Sequence, residues 1–288
     1  MSARISIIIV SYNCESYLRV CLQKLQVYLQ PARDEVIVVD NASSDSTIAM
    51  LKSEFDWVKL IEAGENLGFG RANNLGMQQA QGDYFFLLNP DTELLGDAMG
   101  AGLQFYESEH AAGVGVVGFP LLSPNLNPEV SAGNFPNLME LSLDLLPAKL
   151  FPYRLKERKK AHYTIVDYVS GADLFLPRST YEAVGGFDPV FFLFYEETEW
   201  QYRMQKNGLL RVILAHPAII HHVGTADHKV SLAKILLFEK SRVYYYRKLT
   251  GRLGSWYCRF LLSFFYFSRS FGSGKAYFRQ AAIQMWYV

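Results

Sequence analysis

The sequence predicts an α/β fold, with a mostly parallel central sheet flanked by helices and then a helical, aromatic C-terminal extension. Two observations carry that expectation. The first half alternates short, continuously apolar, β-branched runs with helix-length segments, and three of those runs end in polar clusters. Strands covered on both faces read as unbroken apolar runs, the mark of a parallel sheet between helical layers.

Taken in order, strands are expected at 5–10, 35–40, 58–62, 84–88 and 114–119, with helices over 15–28, 44–55, 69–81 and 92–109. Residues 120–162, rich in Pro and Asn and then basic from Lys156 to Lys160, read as a flap or as a solvated loop. Regular structure resumes at 163–177 and 211–220, with a helix over 196–207 between them. The pattern divides the chain into a domain over 1–228 and a helical extension over 229–288.

Charge and cysteine content narrow the function classes. Lys plus Arg and Asp plus Glu number 28 each in 288 residues, so no net field favours nucleic acid. Cys14, Cys21 and Cys258 form no CxxC pair, which argues for a reducing compartment and against a disulfide framework or zinc site. The opening apolar run is too short for the core of a secretion signal and reads as a buried strand.

Ligands of such sheets bind beyond the carboxyl ends of the strands, and here those ends carry Ser11-Tyr12-Asn13, Asp40-Asn41 and Asn89-Pro90-Asp91. A dinucleotide fold is excluded, because the turn after the first strand lacks glycine and Gly68-Phe69-Gly70 lies elsewhere. A diphosphate is then held most simply by a cation and a carboxylate. Asp91 offers a hard oxygen to Mg²⁺ or Mn²⁺, or else caps a helix beginning at Thr92. Asp40 or Asn41 suits a nucleobase edge or ribose hydroxyl, while Ser44 or Asp45 suits a helix cap.

Two later clusters add chemistry. Glu196, Glu197 and Glu199 open a helix behind the aromatic run Phe191, Phe192, Phe194 and Tyr195. They serve the helix dipole, or one is a base whose pKa the apolar wall raises. His221 and His222 end a strand before Gly224, as structural histidines or as ligands to a cation.

Together these segments resemble the family-2 inverting glycosyltransferases, in particular the rhamnosyltransferase-like branch with a Rossmann-like GT-A fold. The matching residues are Val10-Ser11-Tyr12-Asn13, Val39 to Ser43, Asn66 to Gly70 with Asn73-Asn74, and Leu88 to Asp91. Further on come Gly171-Ala172, Gly185 to Asp188, Glu196-Glu197 and His222-Val223-Gly224. The resemblance implies that Val10, Tyr12, Asp40 and Asn41 line the nucleobase and ribose pocket. Asn66 and Asn73 would lie near the diphosphate, and Asp91 would be the last acidic position of the D-x-D metal motif. Glu197 would be the general base, with Glu196 and Glu199 as alternatives. His222 would be the late metal- or diphosphate-binding histidine, with His221 as its alternative. Two departures stand out: Asn89 replaces the first acid of D-x-D, and Glu197 replaces an Asp.

The implied activity is inverting, metal-dependent transfer from a nucleotide-diphosphate sugar, dTDP-rhamnose on the resemblance, to a glycan or lipid-linked acceptor in cell-surface polysaccharide synthesis. A non-catalytic nucleotide-sugar-binding scaffold is the alternative. Aromatic residues beside Arg and Lys in 230–288 suit a helix lying on a membrane, or packing on the catalytic domain or on a second copy as a homodimer. The expected location is cytoplasmic, or peripheral on the inner membrane's cytoplasmic face.

Overall fold

The computed structural model describes residues 4–144, 155–222, 231–273 and 282–284. The chain forms two compact units, 1–134 with 155–190 and 197–227, and 135–154 with 191–196 and 228–288.

The first unit opens with β1 (Ile5–Ser11), α1 (Glu15–Gln26), β2 (Glu35–Asp40), α2 (Thr47–Glu54), β3 (Lys59–Glu62), α3 (Phe69–Gln79) and β4 (Tyr84–Leu88). There follow β5 (Thr92–Leu94), α4 (Ala98–Tyr106), β6 (Val114–Gly118), β7 (Leu121–Leu122) and β8 (Ala132–Gly133). After α5 (Leu138–Asp144) of the second unit come β9 (Glu157–Lys159), β10 (Tyr163–Val166), β11 (Tyr168–Val169) and β12 (Asp173–Pro177). The remaining elements are α6 (Arg178–Val184), α7 (Glu196–Lys206), β13 (Leu210–Leu214), β14 (Ile219–His221) and α8 (Leu232–Ser273).

Nine strands form the central sheet in the order β3-β2-β1-β4-β12-β6-β13-β10-β9. Only β12 and β10 run against the others. Alternation along β1 supplies both core layers: Ile5, Ile7 and Ile9 face one side with Leu18, Leu22 and Leu25 of α1. Ile8 faces the other, with Ala72 and Met77 of α3. In α1 the buried positions Leu18, Cys21, Leu22 and Leu25 recur at helical spacing, which is why that segment packs as one amphipathic turn after another.

The antiparallel β12 lies between β4 and β6, pairing Phe175 with Phe86 and Val117. Its first residues therefore meet the last residues of β4, and Asn89 N–H donates to the Ala172 carbonyl at 2.9 Å. That puts residues 171–173 on the same edge as Ser11, Asp40 and Asn89.

Several expectations change. The helix expected over 92–109 starts only at Ala98, where Asp97 accepts from Gly100 N–H at 2.8 Å. Thr92–Leu94 is instead a strand, joined to β14 far along the chain, so Asp91 caps no helix. Residues 120–162 contain β7, β8, α5 and β9, with 145–154 outside the described residues. The basic run is partly β9, a charged edge strand that discourages further pairing.

In the second unit α8 is two helices joined at Gly251, whose φ of 74° and ψ of −163° suit a residue without Cβ. They fold back on each other: Val243, Tyr245 and Tyr246 share a core with Cys258 and Leu262. The Tyr266 hydroxyl donates to Glu239 Oε1 at 2.6 Å, and Arg242 Nε lies 3.3 Å from Glu239 Oε2. No described helix is long and apolar enough to cross a membrane. The three cysteines are unpaired.

Candidate active site

The sheet edge at the ends of β1, β2 and β4 gathers most of the expected residues. Tyr12 stands half exposed just past β1, with Val10 half buried beneath it. Asp40 is fully buried, and its Oδ2 accepts from Ser43 N–H at 2.9 Å while Oδ1 has no hydrogen-bond partner. A buried carboxylate oxygen without a donor is costly, and a ligand hydroxyl or amine at this edge would relieve it. Asn13 and Ala42 both take positive φ, 49° and 61°, in the loops that carry these groups. Such strain concentrates at binding sites.

The asparagines have a different task. Asn41 donates to the Gly68 carbonyl at 3.0 Å and accepts from Leu67 N–H at 3.3 Å, tying β2 to the loop before α3. Asn66 accepts from Gly68 N–H at 2.9 Å, and buried Asn73 donates to the Phe69 carbonyl at 3.1 Å. These amides shape the loop, leaving Asp40 and Tyr12 as the groups offered at the edge. Asp45 bonds the first N–H of both neighbouring helices, Thr47 to Oδ1 at 3.1 Å and Glu15 to Oδ2 at 3.2 Å, while Ser46 holds the N-cap position of α2.

Of the two histidines, His221 reaches Asp91: its Nε2 lies 3.4 Å from Asp91 Oδ2, and its Nδ1 lies 3.5 Å from Glu129 Oε2. His222 bonds instead to Glu93 and lies against Tyr17, and its backbone N–H donates to the Asp91 carbonyl at 2.9 Å. The ring nearer the Asp91 carboxylate is thus that of His221, the alternative to His222. Val223 and Gly224 lie outside the described residues. Burial works against a charge on His221, but Asp91 and Glu129 outweigh it and raise its pKa.

This donor set fits a divalent cation. Two cis ligands at about 2.1 Å from an ion stand ~3.0 Å apart, close to the Asp91–His221 separation. Glu129 on the far ring nitrogen orients the imidazole, as outer carboxylates do at metal-bound histidines. Among the described residues no three His, Cys, Asp or Glu converge to hold an ion unaided. The remaining ligands would be phosphate and water oxygens, as Mg²⁺ commonly takes.

Glu197 stands in the first turn of α7, against Gly171. A Cβ on Gly171 would lie 3.4 Å from Glu197 Cγ, and Ala172 beside it bonds to Asn89. The carboxyl and the Asp91 segment are therefore joined through one short stretch of backbone. Burial raises the pKa of Glu197, offset in part by the N–H groups of Glu197 and Thr198. Glu199 is engaged by Arg203, with Nε 3.0 Å from each carboxylate oxygen, and Arg203 also donates to the Val184 carbonyl at 2.6 Å. That ties Glu199 to loop support. Glu196 is buried at the helix start.

Two side-chain amides absent from the sequence-based site hold these loops. Gln201 of α7 is fully buried and pairs with both backbone groups of Val169, at 2.8 and 2.7 Å. Asn74 of α3 does the same with Phe187, at 2.8 Å each. Gly186 makes room: a Cβ there would fall 2.3 Å from Asn74 Oδ1.

The model of the family described as glycosyl transferase family 2 matches residues 6–166, more than half of the chain. The chain belongs to that family. This family-2 glycosyltransferase is 25 % identical over 240 residues, 77 % of its length, to the N-acetylglucosaminyl-diphospho-decaprenol L-rhamnosyltransferase of Mycobacterium tuberculosis, covering 76 % of it. It is 27 % identical over 234 residues to the rhamnosyltransferase WbbL of Escherichia coli, covering 77 % of this chain and 83 % of that one. A crystal structure of GalNAc-T7 with UDP, GalNAc and Mn²⁺ superposes with a TM-score of 0.65 at 15 % identity, over 97 % of this chain and 54 % of that one. The fold of this glycosyltransferase is GT-A, as the sequence resemblance implied.

Glu129, Gln201 and the Asn74–Phe187 pair went unread in the sequence. Glu129 sits in a Pro- and Asn-rich stretch with no periodicity to draw attention to it. Asn74 is part of the quoted Asn73-Asn74 motif, and its pairing with a Gly-Gly-Phe segment was the available signal.

Proposed function

We propose that this glycosyltransferase moves a sugar, with inversion, from a nucleotide-diphosphate donor to a hydroxyl of a lipid-linked saccharide. The observation that carries this is the Asp91–His221 pair, linked through Asn89 and Ala172 to a half-buried Glu197. The relatives named as rhamnosyltransferases support rhamnose as the sugar moved, with dTDP-rhamnose as the donor the resemblance implies, and cell-surface glycan synthesis as the setting. A cytoplasmic site of action at a membrane fits the unpaired cysteines and a relative named for a decaprenol-linked substrate.

In this reading Tyr12 and Asp40 take the nucleoside, and Asp91 and His221 hold Mg²⁺ or Mn²⁺. The ion, when bound, neutralises charge on the departing diphosphate. Glu197 accepts the proton of the acceptor hydroxyl as that oxygen bonds to the anomeric carbon and the bond to the diphosphate breaks. One displacement from the opposite face inverts the centre, and general-base help of this kind is worth roughly 10²–10⁴-fold. His222 and Glu199 support the loops, while Asn41, Asn66 and Asn73 hold the donor side in shape.

The test is a panel of UDP-, GDP- and dTDP-sugars by thermal shift with and without Mn²⁺, followed by transfer assays. Glu197→Gln should keep donor binding and lose transfer. Asp91→Ala should lose the Mn²⁺-dependent part of donor binding. Near-normal transfer by Glu197→Gln would move the base to Glu196, and absence of any donor shift would favour a scaffold.

A further inference from the structure

The second helix of the α8 hairpin carries two apolar faces. One is buried, with Cys258, Leu262 and Tyr266 turned into the hairpin. On the other, Leu253, Trp256, Phe260, Phe264, Phe267 and Phe271 are 48–85 % exposed. At 3.6 residues per turn these six lie within about 80° of one another, a single stripe running ~27 Å along the helix. Their rings are already arranged against each other: Trp256 stacks on Phe260 at 5.9 Å, and Phe267 meets Phe271 edge-on at 4.9 Å. A packed aromatic stripe of this length is more than scattered surface apolarity.

Charge identifies what the stripe faces. The whole chain is neutral, yet from Lys240 to Val288 there are nine Lys or Arg and no Asp or Glu. Arg247 and Lys248 are exposed just before the Gly251 turn, and Arg252 is exposed just after it. On the wheel Arg252 and Arg259 both lie at about a right angle to one side of the stripe, where long stems lie along apolar surface while the charged heads reach outward. Aromatic rings at the headgroup level with flanking cations are the composition of a helix lying in a membrane interface.

We propose that this stripe docks the enzyme on an anionic lipid surface. A second copy is disfavoured as occupant, since stripe-to-stripe pairing would bring two like-charged segments together with no carboxylate between Lys240 and Val288 to neutralise them. The helix lies on the bilayer and does not cross it, having too little continuous apolarity to span. The inference rests on the lipid-linked acceptor above for its purpose, and on the helix alone for the contact.

The experiment is co-sedimentation of the full chain with vesicles of phosphatidylcholine alone or with about 30 % phosphatidylglycerol, at about 0.1 M and 0.5 M salt. Binding should be at least about tenfold tighter to the anionic vesicles at low salt, and weaken as salt rises. Phe260→Ser with Phe264→Ser should reduce it about tenfold or more on either lipid. Arg252→Gln with Arg259→Gln should flatten the salt dependence. Trp256 fluorescence should be quenched by brominated lipid, and that quenching should vanish in Trp256→Phe.

Equal partition of the wild type and the double-Ser variant would overturn the proposal. So would a lipid-independent dimer that the same variant dissociates. Circular dichroism and nucleotide thermal shift confirm that each variant is folded. Vesicle binding without any donor binding would sink the transferase reading and leave this face standing.

Discussion

Asn74 and Gly186 should behave as one unit under mutation. Asn74→Ala removes two hydrogen bonds of 2.8 Å and leaves the N–H and carbonyl of Phe187, a residue 2 % exposed, without partners. Each buried group so abandoned costs about 1–3 kcal/mol, toward the lower end here because Asn74 is only half-buried, so the variant should lose about 2–4 kcal/mol. At roughly 2–3 °C per kcal/mol for a chain of this size, its melting temperature should fall by about 5–10 °C. Gly186→Ala reaches the same end from the other side. Its Cβ would sit 2.3 Å from Asn74 Oδ1 and 3.0 Å from Cγ, so Asn74 must swing away and forfeit both bonds. With Asn74 already truncated, that Cβ meets chiefly Tyr181 Cε2 at 3.3 Å, a contact a small shift relieves. The double variant should therefore cost about as much as one single, a coupling of about 2–3 kcal/mol. Urea titration of the four proteins measures this. Additivity within about 0.5 kcal/mol would refute the claim that the glycine exists to admit the amide.

Three more outcomes follow from the site. Glu129→Gln should weaken Mn²⁺ binding in the presence of nucleotide about 10–100-fold by calorimetry, leaving metal-free nucleotide binding unchanged; an unaltered Mn²⁺ affinity would remove Glu129 from the site. Because burial raises the Glu197 pKa, the acidic limb of kcat/KM should lie above the ordinary Glu range of about 4.3 and should be displaced in Glu197→Asp; a limb at the ordinary value or unmoved in that variant speaks against the base. Asp173 is fully buried, with only Oδ2 bonded, to Phe119 N–H at 2.6 Å, and burial holds its pKa well above the usual value. A folded-state pKa above the unfolded one means its stability contribution is full below about pH 4 and lost as pH rises through the folded pKa. Asp173→Asn should therefore melt higher than wild type at pH 8, with the gap closing toward pH 4; a gap constant with pH would contradict this.

How much of this could be read from the chain depends on how local the cause is. Strands β1, β2 and β4 declare themselves because both their faces are buried, so they are apolar almost throughout until the edge, with Ser6 admitted by its bond to Glu35. Their polar terminators, Ser11, Asp40 and Asn89, mark the binding edge for the same reason. Strands β5, β7 and β14 have two or three residues each and exist only by pairing with one another across the chain, which no local pattern records. The histidine preference turned on such a pairing: β14 lies antiparallel to β5, and the geometry at its end sends the His221 ring to Asp91 and the His222 ring to Glu93. The three glutamates were separable only once Arg203 and Gly171 were in view.

The position of β12 has a consequence for how the protein is made. A chain emerging from its N-terminus completes β1 to β4, and with them the edge that carries Asp40 and Asn89, while residues 173–177 are still to come. Until they arrive, the strand Tyr84–Leu88 presents one side of its backbone unpaired, with Phe85 and Phe86 beside it. That is an aggregation hazard of the kind open apolar strand edges create. Truncations ending before Asp173 should accordingly be recovered from inclusion bodies, and those ending after Pro177 should not fail for that reason. The strand that brings Gly171 to the candidate site's edge is also the one that pairs the open side of Tyr84–Leu88, so that edge and its protection from misassembly are completed together.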